Sequence, residues 1–442
     1  MKTSCKLFIA SLALGVLLTA VSSSITAQNS DEQHYEPVYR EQPSYSTAKN
    51  VPKHFLVYPF EIVRWPIDQG LYIVEKYRID KKVRWIYDEI LEHGIAPYGN
   101  VIGIGNMGGG LSIDWITLTK ERSDFPHVVV KNWVEWSNHV NFETGAKVGL
   151  ERIADTGFRT LGTVKYENRP EEHFYGIGHH SSAGDGTSYR MEATHLEYKF
   201  GYSPSPVLAT DAKFEYQNVN ITNGEDGGRG IIDTTFTPGS IPGLAGDEII
   251  TIGGEMKHDT RNRGANSFKG GAERIGFSFN DGVAGSNARY FKYEIELARF
   301  LRLWSDRRVL ALHFYGEENS DIGNGYVPFH QMAKLGEYGL PPRLSHTLRG
   351  FDFNRFFDKS AALFNAEYRY NIWEHKDFKL DTVVFIDEGQ VLRKVSRFKF
   401  KDFRESYGGG FRLSVANNVI MSVEIAHGDE GTNFYVKSGS PF

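Results

Sequence analysis

The stretch ALFNAEYRYNIW, residues 362–373, decides the fold class of this 442-residue chain. Its apolar set is Phe364, Ala366, Tyr368, Tyr370 and Ile372, and its polar set is Asn365, Glu367, Arg369 and Asn371. The alternation puts one set on each face of a β-strand. It leaves two architectures open, because a secreted sandwich buries its apolar face whereas an outer-membrane barrel turns it to lipid. Charged residues in the middle of an aromatic-rich strand suit a wet lumen, so the pattern favours the barrel.

The same alternation recurs along the chain. It is clear at Thr194–Tyr202, Tyr290–Leu297 and Val309–Tyr315, and the Asn417-Asn418 pair between two short apolar segments is a hairpin signal. The 46 Gly and the 14% of aromatic residues also favour strands and turns over long helices. About fifteen or sixteen such segments follow residue 108. We therefore predict an all-β fold, a transmembrane antiparallel β-barrel of about sixteen strands.

The N-terminus has the features of an export signal. Lys2 and Lys6 precede an apolar stretch that ends in small residues at Ala27. This order predicts a secretory signal peptide over residues 1–27. The only cysteine, Cys5, lies inside it, so the mature chain is predicted to lack disulfides, thiol catalysis and Cys-ligated metals. No run of 18 apolar residues follows, which excludes transmembrane helices.

Three further segments follow the signal peptide. Residues 28–65 form a polar leader that is predicted to be largely disordered. Residues 66–94 change to a helical period, with Leu71, Val74, Val83 and Ile86 on one face, and predict an amphipathic helix. Residues 95–442 carry the alternation and are predicted to form the barrel.

Charge and residue spacing weigh against several other functions. The chain has 50 basic and 55 acidic residues, and no basic block that could neutralise phosphates, which argues against nucleic-acid binding. The glycines at 103–110 lack a βαβ context and favour a strand-initiating turn over a phosphate loop. The cluster of His173, His179, His180 and Asp185 matches no metal-ligand spacing. His179 and Ser181 could share one strand face, which leaves a barrel-embedded hydrolase open as an alternative.

Four motifs, in this order along the chain, carry a resemblance to a known family. They are Phe174-Tyr175-Gly176-Ile177-Gly178, Asp259-Thr260-Arg261, Leu348-Arg349-Gly350-Phe351 and the segment from Val384 to Val391 with Phe385, Asp387 and Gly389. Together they resemble the BamA/TamA superfamily of outer-membrane insertases and translocases, the bacterial surface antigen type, over roughly residues 95–442. Residues 28–95 show no alternating strands from which a periplasmic POTRA domain could be built. The chain therefore resembles the subgroup that lacks POTRA domains.

The resemblance implies a lumen-loop site. In this family the loop with the R-G-F motif folds back into the barrel, and its arginine docks on the F-x-D-x-G strand. By motif position, Arg349 would pair with Asp387 and lie over Phe385, because a buried guanidinium needs a carboxylate partner and gains from an aromatic face. Gly350 would allow the tight turn, and Phe351 would fill the wall. The residues expected to close the barrel at the C-terminus are Phe434, Val436 and Phe442.

The resemblance also implies a function. A barrel of this type would move or insert protein or lipid clients at the outer membrane through a weakly paired seam, with its first strand near Gly109–Thr117 and its last over Thr432–Phe442. We expect no enzymatic activity, no cofactor and no metal. The expected partners are outer-membrane lipid, a protein or lipid client, and periplasmic or outer-membrane partner proteins. The expected location is the outer membrane of a Gram-negative-type bacterium, after signal peptide removal. A passive porin and the hydrolase are the alternatives.

Overall fold

The computed structural model describes residues 94–103, 106–115, 128–137, 141–151, 153, 156–236, 239–262, 266–336, 346–375, 378–415, 418–437, 439 and 442. The predicted signal peptide, leader and amphipathic helix fall on residues outside this set, apart from Gly94. Among the described residues, no helix is both long and apolar enough to cross a bilayer.

Strands dominate the described chain. They are β1 (Ile95–Gly103), β2 (Asn106–Asp114), β3 (Val128–Ser137), β4 (Phe142–Leu150), β5 (Phe158–Phe174), β6 (Thr187–Ser205), β7 (Leu208–Asn223), β8 (Gly230–Ile231), β9 (Gly246–Asp259), β10 (Gly270–Gly282), β11 (Arg289–Arg302), β12 (Arg308–Asp321), β13 (Ala333–Leu335), β14 (Phe356–Asp358), β15 (Ser360–His375), β16 (Phe378–Leu392), β17 (Arg404–Val415), β18 (Asn418–Gly428) and β19 (Gly431–Lys437). One short helix, α1 (Ile232–Thr235), follows β8. Single 3-10 turns lie at Ala183–Asp185, Phe329–Gln331, Val395–Arg397 and Phe400–Asp402.

Sixteen of these strands form one antiparallel sheet. Each long strand pairs with the next long strand along the chain, from β1 with β2 to β18 with β19. The two-residue β8 only adds a parallel pairing to β6, and β13 pairs with β14 in a separate small sheet. The predicted all-β fold of about sixteen antiparallel strands is confirmed.

The two faces of the sheet differ in polarity as the alternation predicts. On β15 the side chains of Asn365, Glu367 and Arg369 are buried, whereas Phe364 on the other face is exposed. On β6 the apolar set is 41–51% exposed, namely Leu196, Tyr198, Phe200 and Tyr202. Burying charges while exposing aromatic rings is the reverse of a water-soluble core and fits a wet lumen inside a lipid-facing wall. The sandwich alternative is therefore wrong.

The two ends of the barrel carry different connections. β1 begins and β19 finishes at one end, where the turns at 206–207 and 303–307 are short. The connections at 175–186 and between β12 and β15 lie at the other end and are longer. Outer-membrane barrels have short periplasmic turns and long extracellular loops. We call the two ends the turn end and the loop end, and assign them to the periplasm and the exterior.

An apolar cluster occupies the interior at the loop end. Its members come from β5, β6, β7, β11, α1, the segment between α1 and β9, and the connection between β12 and β15, among them Phe174, Tyr189, Phe329 and Phe357. The ring centroid of Phe174 lies 4.9 Å from that of Phe329 and 5.0 Å from that of Phe357. Packed aromatic rings of this kind exclude water.

The first and last strands meet differently from all other neighbours. Residues of β1 and β19 come within 8 Å of each other, measured between Cα atoms. Within the described chain, however, no ladder pairing joins these two strands, whereas every other neighbouring pair has one. We call this boundary the seam.

Two expected strand boundaries are wrong. The first described strand is β1 at 95–103, and the glycine-rich residues expected to open the barrel form β2, where Gly109 pairs with Gly99. Flanking strands impose an extended backbone there in spite of the low strand propensity of glycine. The last strand ends at Lys437 rather than Phe442, since Gly439 takes a left-handed conformation with φ +90° that a strand cannot continue through.

A closed barrel of this type should resist detergent until it is heated. We expect the mature protein to fractionate with outer membranes and to run faster on a denaturing gel unheated than boiled. The experiment compares both mobilities in membrane and periplasmic fractions. Release as a soluble periplasmic protein with one heat-independent mobility would contradict the fold assignment.

Candidate functional site

The motif Leu348–Phe351 lies inside the barrel, in the connection between β12 and β15. We call residues 346–359 the lumen loop. Leu348 N donates to Gly336 O at 2.6 Å, and the Leu348 side chain is fully buried among Leu335, Leu363 and their neighbours. Gly350 has φ +86°, a conformation that favours glycine, so the chain can reverse directly after Arg349. Phe351 packs its ring 5.2 Å from that of Phe356.

Arg349 is fully buried and forms a salt bridge with Asp387 on β16. Its Nε lies 2.6 Å from Oδ2 and its Nη2 lies 2.6 Å from Oδ1, which is a two-pronged pairing of guanidinium and carboxylate. The Arg349 backbone N also donates to Asp387 Oδ2 at 3.3 Å. On the guanidinium face, Cζ lies 3.4 Å from the centroid of the Phe385 ring. Both contacts that the motif positions imply are present.

Further charges extend this pair into a network on neighbouring strands. Arg349 Nη1 donates to Glu367 Oε1 on β15 at 2.7 Å and to Glu424 Oε2 on β18 at 3.3 Å. Arg412 on β17 donates to both of those carboxylates, and Arg369 donates to Glu367 at 2.8 Å. Three guanidinium groups thus face three carboxylates, all at most 6% exposed, and we call the six residues the charge node. The balance of charge is what makes such burial tolerable.

Glycines make room for the loop on its docking strands. A Cβ on Gly389 would lie 3.0 Å from Leu348 Cδ2, and a Cβ on Gly408 would lie 2.5 Å from Phe385 Cζ. Gly389 therefore lets the loop approach β16, and Gly408 gives space to the ring that supports Arg349. The lumen loop is fitted to strands β15 to β18 by shape as well as by charge.

The lumen loop is also tied to the last hairpin, β18–β19. Gly350 N donates to the Tyr435 hydroxyl of β19 at 2.7 Å. Beyond the motif, Arg355 places Nε and Nη2 each 2.7 Å from the two carboxylate oxygens of Glu430, in the turn of that hairpin. Two contacts at different depths thus fix the loop to the strand that borders the seam.

Sequence reasoning found part of this site. It named Leu348, Arg349, Gly350 and Phe351 together with Phe385, Asp387 and Gly389, and the structure brings these residues together. It missed Glu367, Arg412, Glu424, Tyr435 and Arg355 as partners of the loop. For Glu367 a signal was present, since it belongs to the polar, lumen-facing set of β15.

The C-terminal residues expected to close the barrel separate in space. Phe434 on β19 is 52% exposed on the outer wall, and Val436 lies on the same strand face. Phe442 instead stacks on the ring of His313 at 4.8 Å and lies 5.3 Å from the Arg369 guanidinium carbon. The last residue thus packs against buried side chains of β12 and β15, and its expected role in closing the barrel stays a prediction.

The His179 region carries no nucleophile–base pair in the described chain. The hydroxyl of Ser181 accepts from Arg355 Nη1 at 2.9 Å, and no hydrogen bond between it and a histidine is found there. Burial, helped by the nearby Arg404 charge, lowers the pKa of His179 to about 4, and the ring packs on His180 and Phe356. The contacts made by Ser181 are those of a structural residue at the loop end.

The expected absence of a metal stays a prediction. Among the described residues, one group of carboxylate and imidazole atoms lies within 4.8 Å of one another, formed by Glu294, Glu317 and His346. Lys292 Nζ lies 3.1 Å from Glu317 Oε1 and already balances that carboxylate. An ammonium at that distance repels a divalent ion, so these side chains fit a salt-bridge cluster better than a metal centre.

Comparison with known proteins identifies one family and several similar solved structures. Residues 136–438 match the Omp85 superfamily domain. The chain is similar to BamA from Haemophilus ducreyi lacking POTRA domains 1–3, at 14% identity and a TM-score of 0.58, covering 78% of this chain and 69% of that one. It is also similar to CdiB from Escherichia coli, at 12% identity and a TM-score of 0.49, covering 78% of this chain and 62% of that one. It matches no curated protein.

Proposed function

Because the chain belongs to the Omp85 superfamily and folds as an outer-membrane barrel of the insertase and translocase type, we propose that it passes protein or lipid clients through the seam between β1 and β19. The resemblance seen in the motifs is thereby confirmed at the level of the family. We also propose that periplasmic or outer-membrane partner proteins take part, that the signal peptide is removed, and that the chain has no enzymatic activity.

One observation carries the proposal. All other neighbouring long strands are joined by antiparallel ladders, some of them with a bulge, whereas in the described chain the two strands of the seam lie side by side without a ladder. Each ladder hydrogen bond in a lipid environment has no water to replace it, so paired strands are costly to separate. A boundary without these bonds has little to lose on opening. The seam is therefore where the barrel wall would part.

The lumen loop supplies a way to control that opening. It contacts β15 to β18 through the charge node, β19 through Tyr435, and the turn before β19 through Glu430. A movement of β19 away from β1 would strain both contacts, so the loop and the seam would respond to each other. The lumen loop docked inside the barrel and the apolar cluster at the loop end also argue against a passive porin.

The seam can be tested by crosslinking. With Cys5 replaced by Ser, the chain has no other cysteine. We expect Phe434→Cys, combined with a single Cys scanned over positions 96–102 of β1, to form a disulfide in at least one combination. That disulfide should abolish rescue of a deletion strain, and reduction should restore it. The readouts are gel mobility for the crosslink and outer-membrane integrity for function.

The matched control joins β19 to its laddered neighbour. Ile425 and Phe434 are directly paired, and both face outward, so Ile425→Cys with Phe434→Cys should crosslink without loss of function. A barrel locked at the seam that keeps full function would exclude lateral passage and favour the porin. Loss of function in the control as well would attribute the effect to rigidity of β19 rather than to the seam.

A further inference from the structure

The connection between β16 and β17 has an unusual composition. Residues 393–403 read RKVSRFKFKDF, and we call them the basic loop. Its cationic side chains are Arg393, Lys394, Arg397, Lys399 and Lys401, all of them exposed. Within the described chain, none of the five has a carboxylate within 4.0 Å, although ion pairs are frequent elsewhere on this barrel. The five cations of this segment are separated by Val, Ser and Phe, so they do not form an unbroken basic run.

The backbone of the basic loop is fixed. Two 3-10 turns, Val395–Arg397 and Phe400–Asp402, shape it. Val395 N donates to Glu318 Oε2 at 2.8 Å, and Gln390 Nε2 donates to the Asp402 carbonyl at 3.0 Å. These contacts tie it to β12 and β16 at the loop end. The five exposed cations therefore project from a segment whose backbone is held by these contacts, which lowers the entropic cost of binding an anion.

The aromatic residues of the basic loop continue the lipid-facing wall. Phe403 lies 5.7 Å from Phe364, which lies 4.7 Å from Phe314, and the last two project outward from β15 and β12. Phe398 packs 5.5 Å from Phe403, and Phe400 is 78% exposed. Because this phenylalanine cluster is continuous with the membrane-facing surface, it places the loop at the boundary between acyl chains and headgroups. Unpaired cations at that depth would face the headgroups.

We propose that the basic loop binds the phosphate groups of lipid headgroups in the outer leaflet. Arginine and lysine favour phosphate, with arginine offering two parallel donors to its oxygens. Membrane-adjacent clusters of such cations bind anionic headgroups, and apolar side chains beside them enter the acyl region. The aromatic cluster selects a lipid over a soluble polyanion. The proposal rests on the outer-membrane placement of the barrel and is independent of client transport.

The test uses purified, folded full-length protein in a neutral detergent, with bound lipid counted by native mass spectrometry. The probe is an acylated disaccharide glycolipid carrying two phosphates, and the comparison is the same glycolipid without phosphates. We expect retention of the phosphorylated form and at least about tenfold weaker binding of the other. Inorganic phosphate at the same concentration should not displace the glycolipid, and effective displacement would overturn the lipid assignment.

Variants locate the binding on the loop. Replacing all five cations with Gln should weaken binding of the phosphorylated glycolipid about tenfold or more. The matched control neutralises five exposed cations at the turn end and should change binding less than twofold. It substitutes Gln for Lys257, Lys269, Arg299, Arg302 and Arg307. Phe400→Ser should weaken binding as well. If the fivefold variant does not fold, this variant tests the proposal through the aromatic residues of the basic loop. Unchanged binding in the fivefold variant, or in Phe400→Ser when the fivefold variant does not fold, would overturn the proposal.

Discussion

Replacing Arg349 with Ala should destabilise the folded barrel by about 3–5 kcal/mol. The substitution leaves three buried carboxylates facing two guanidinium groups, and Arg349, Glu367 and Asp387 have no solvent exposure that could screen the imbalance. Asp387→Ala should lower the free energy of unfolding by a similar amount, because it leaves the buried Arg349 guanidinium without its carboxylate partner. The measurement is the free energy of unfolding in urea, followed by the gel mobility of the unheated protein.

A double-mutant cycle shows whether the two residues act on each other. Arg349→Ala with Asp387→Ala should be no worse than the worse single variant, since the pair disappears as a unit. Arg302→Ala is the control, because Arg302 is exposed and its pairing with Asp306 should contribute below about 1 kcal/mol. Strictly additive losses in the double variant would mean that Arg349 and Asp387 are not energetically coupled.

Placing a methyl group on Gly408 should damage the same site by crowding. A Cβ there would lie 2.1 Å from Ile425 O on β18 and 2.5 Å from Phe385 Cζ. One contact is with rigid backbone and the other with the ring beneath Arg349, so neither can give way without moving the site. Overpacking of this kind costs about 1–3 kcal/mol or more. We expect Gly408→Ala to lower both the unfolding free energy and the rescue of a deletion strain.

The control for crowding is another strand glycine with open space. A Cβ on Gly162 of β5 would have Val148 O at 3.7 Å as its nearest neighbour, which is ordinary contact. Gly162→Ala should therefore change stability by no more than about 0.5 kcal/mol. Equal effects at Gly162 and Gly408 would show that the loss is a general response to Ala in strands and not a property of the docking site.

The sequence predicted the faces of the strands much better than their partners. Alternation is a local property, so residues 362–373 alone place Glu367 and Phe364 on opposite faces, and the charged residues within this aromatic-rich strand favoured the face of Glu367 as the inward one. Which carboxylate meets which guanidinium depends on the register between neighbouring strands and on how the lumen loop folds back, and neither is visible in a single strand. Arg349 and Asp387 were matched only through a family resemblance, and Glu424 and Tyr435 had no motif to point to them.

Local composition was also insufficient at two places. Glycines near residue 109 argued for a turn, but β1 and β3 supply the pairing that holds them extended. Five of the eleven residues of the basic loop are cationic, but Val, Ser and Phe interrupt them, so that no more than two stand in a row. That all five are exposed, and that none has a carboxylate within 4.0 Å in the described chain, depends on the fold and cannot be read from the sequence.

The position of the lumen loop in the chain has a consequence for assembly. All partners that hold Arg349 and Gly350, namely Glu367, Asp387, Glu424 and Tyr435, are synthesised after the loop itself. The hairpins can form in order from contacts close in sequence, but this docking requires the C-terminal strands to be in place. Until then Arg349 lacks its counter-charges and is better left in water. We therefore expect the loop to insert late in assembly, and a truncated chain that ends before β18 should leave the loop accessible to protease.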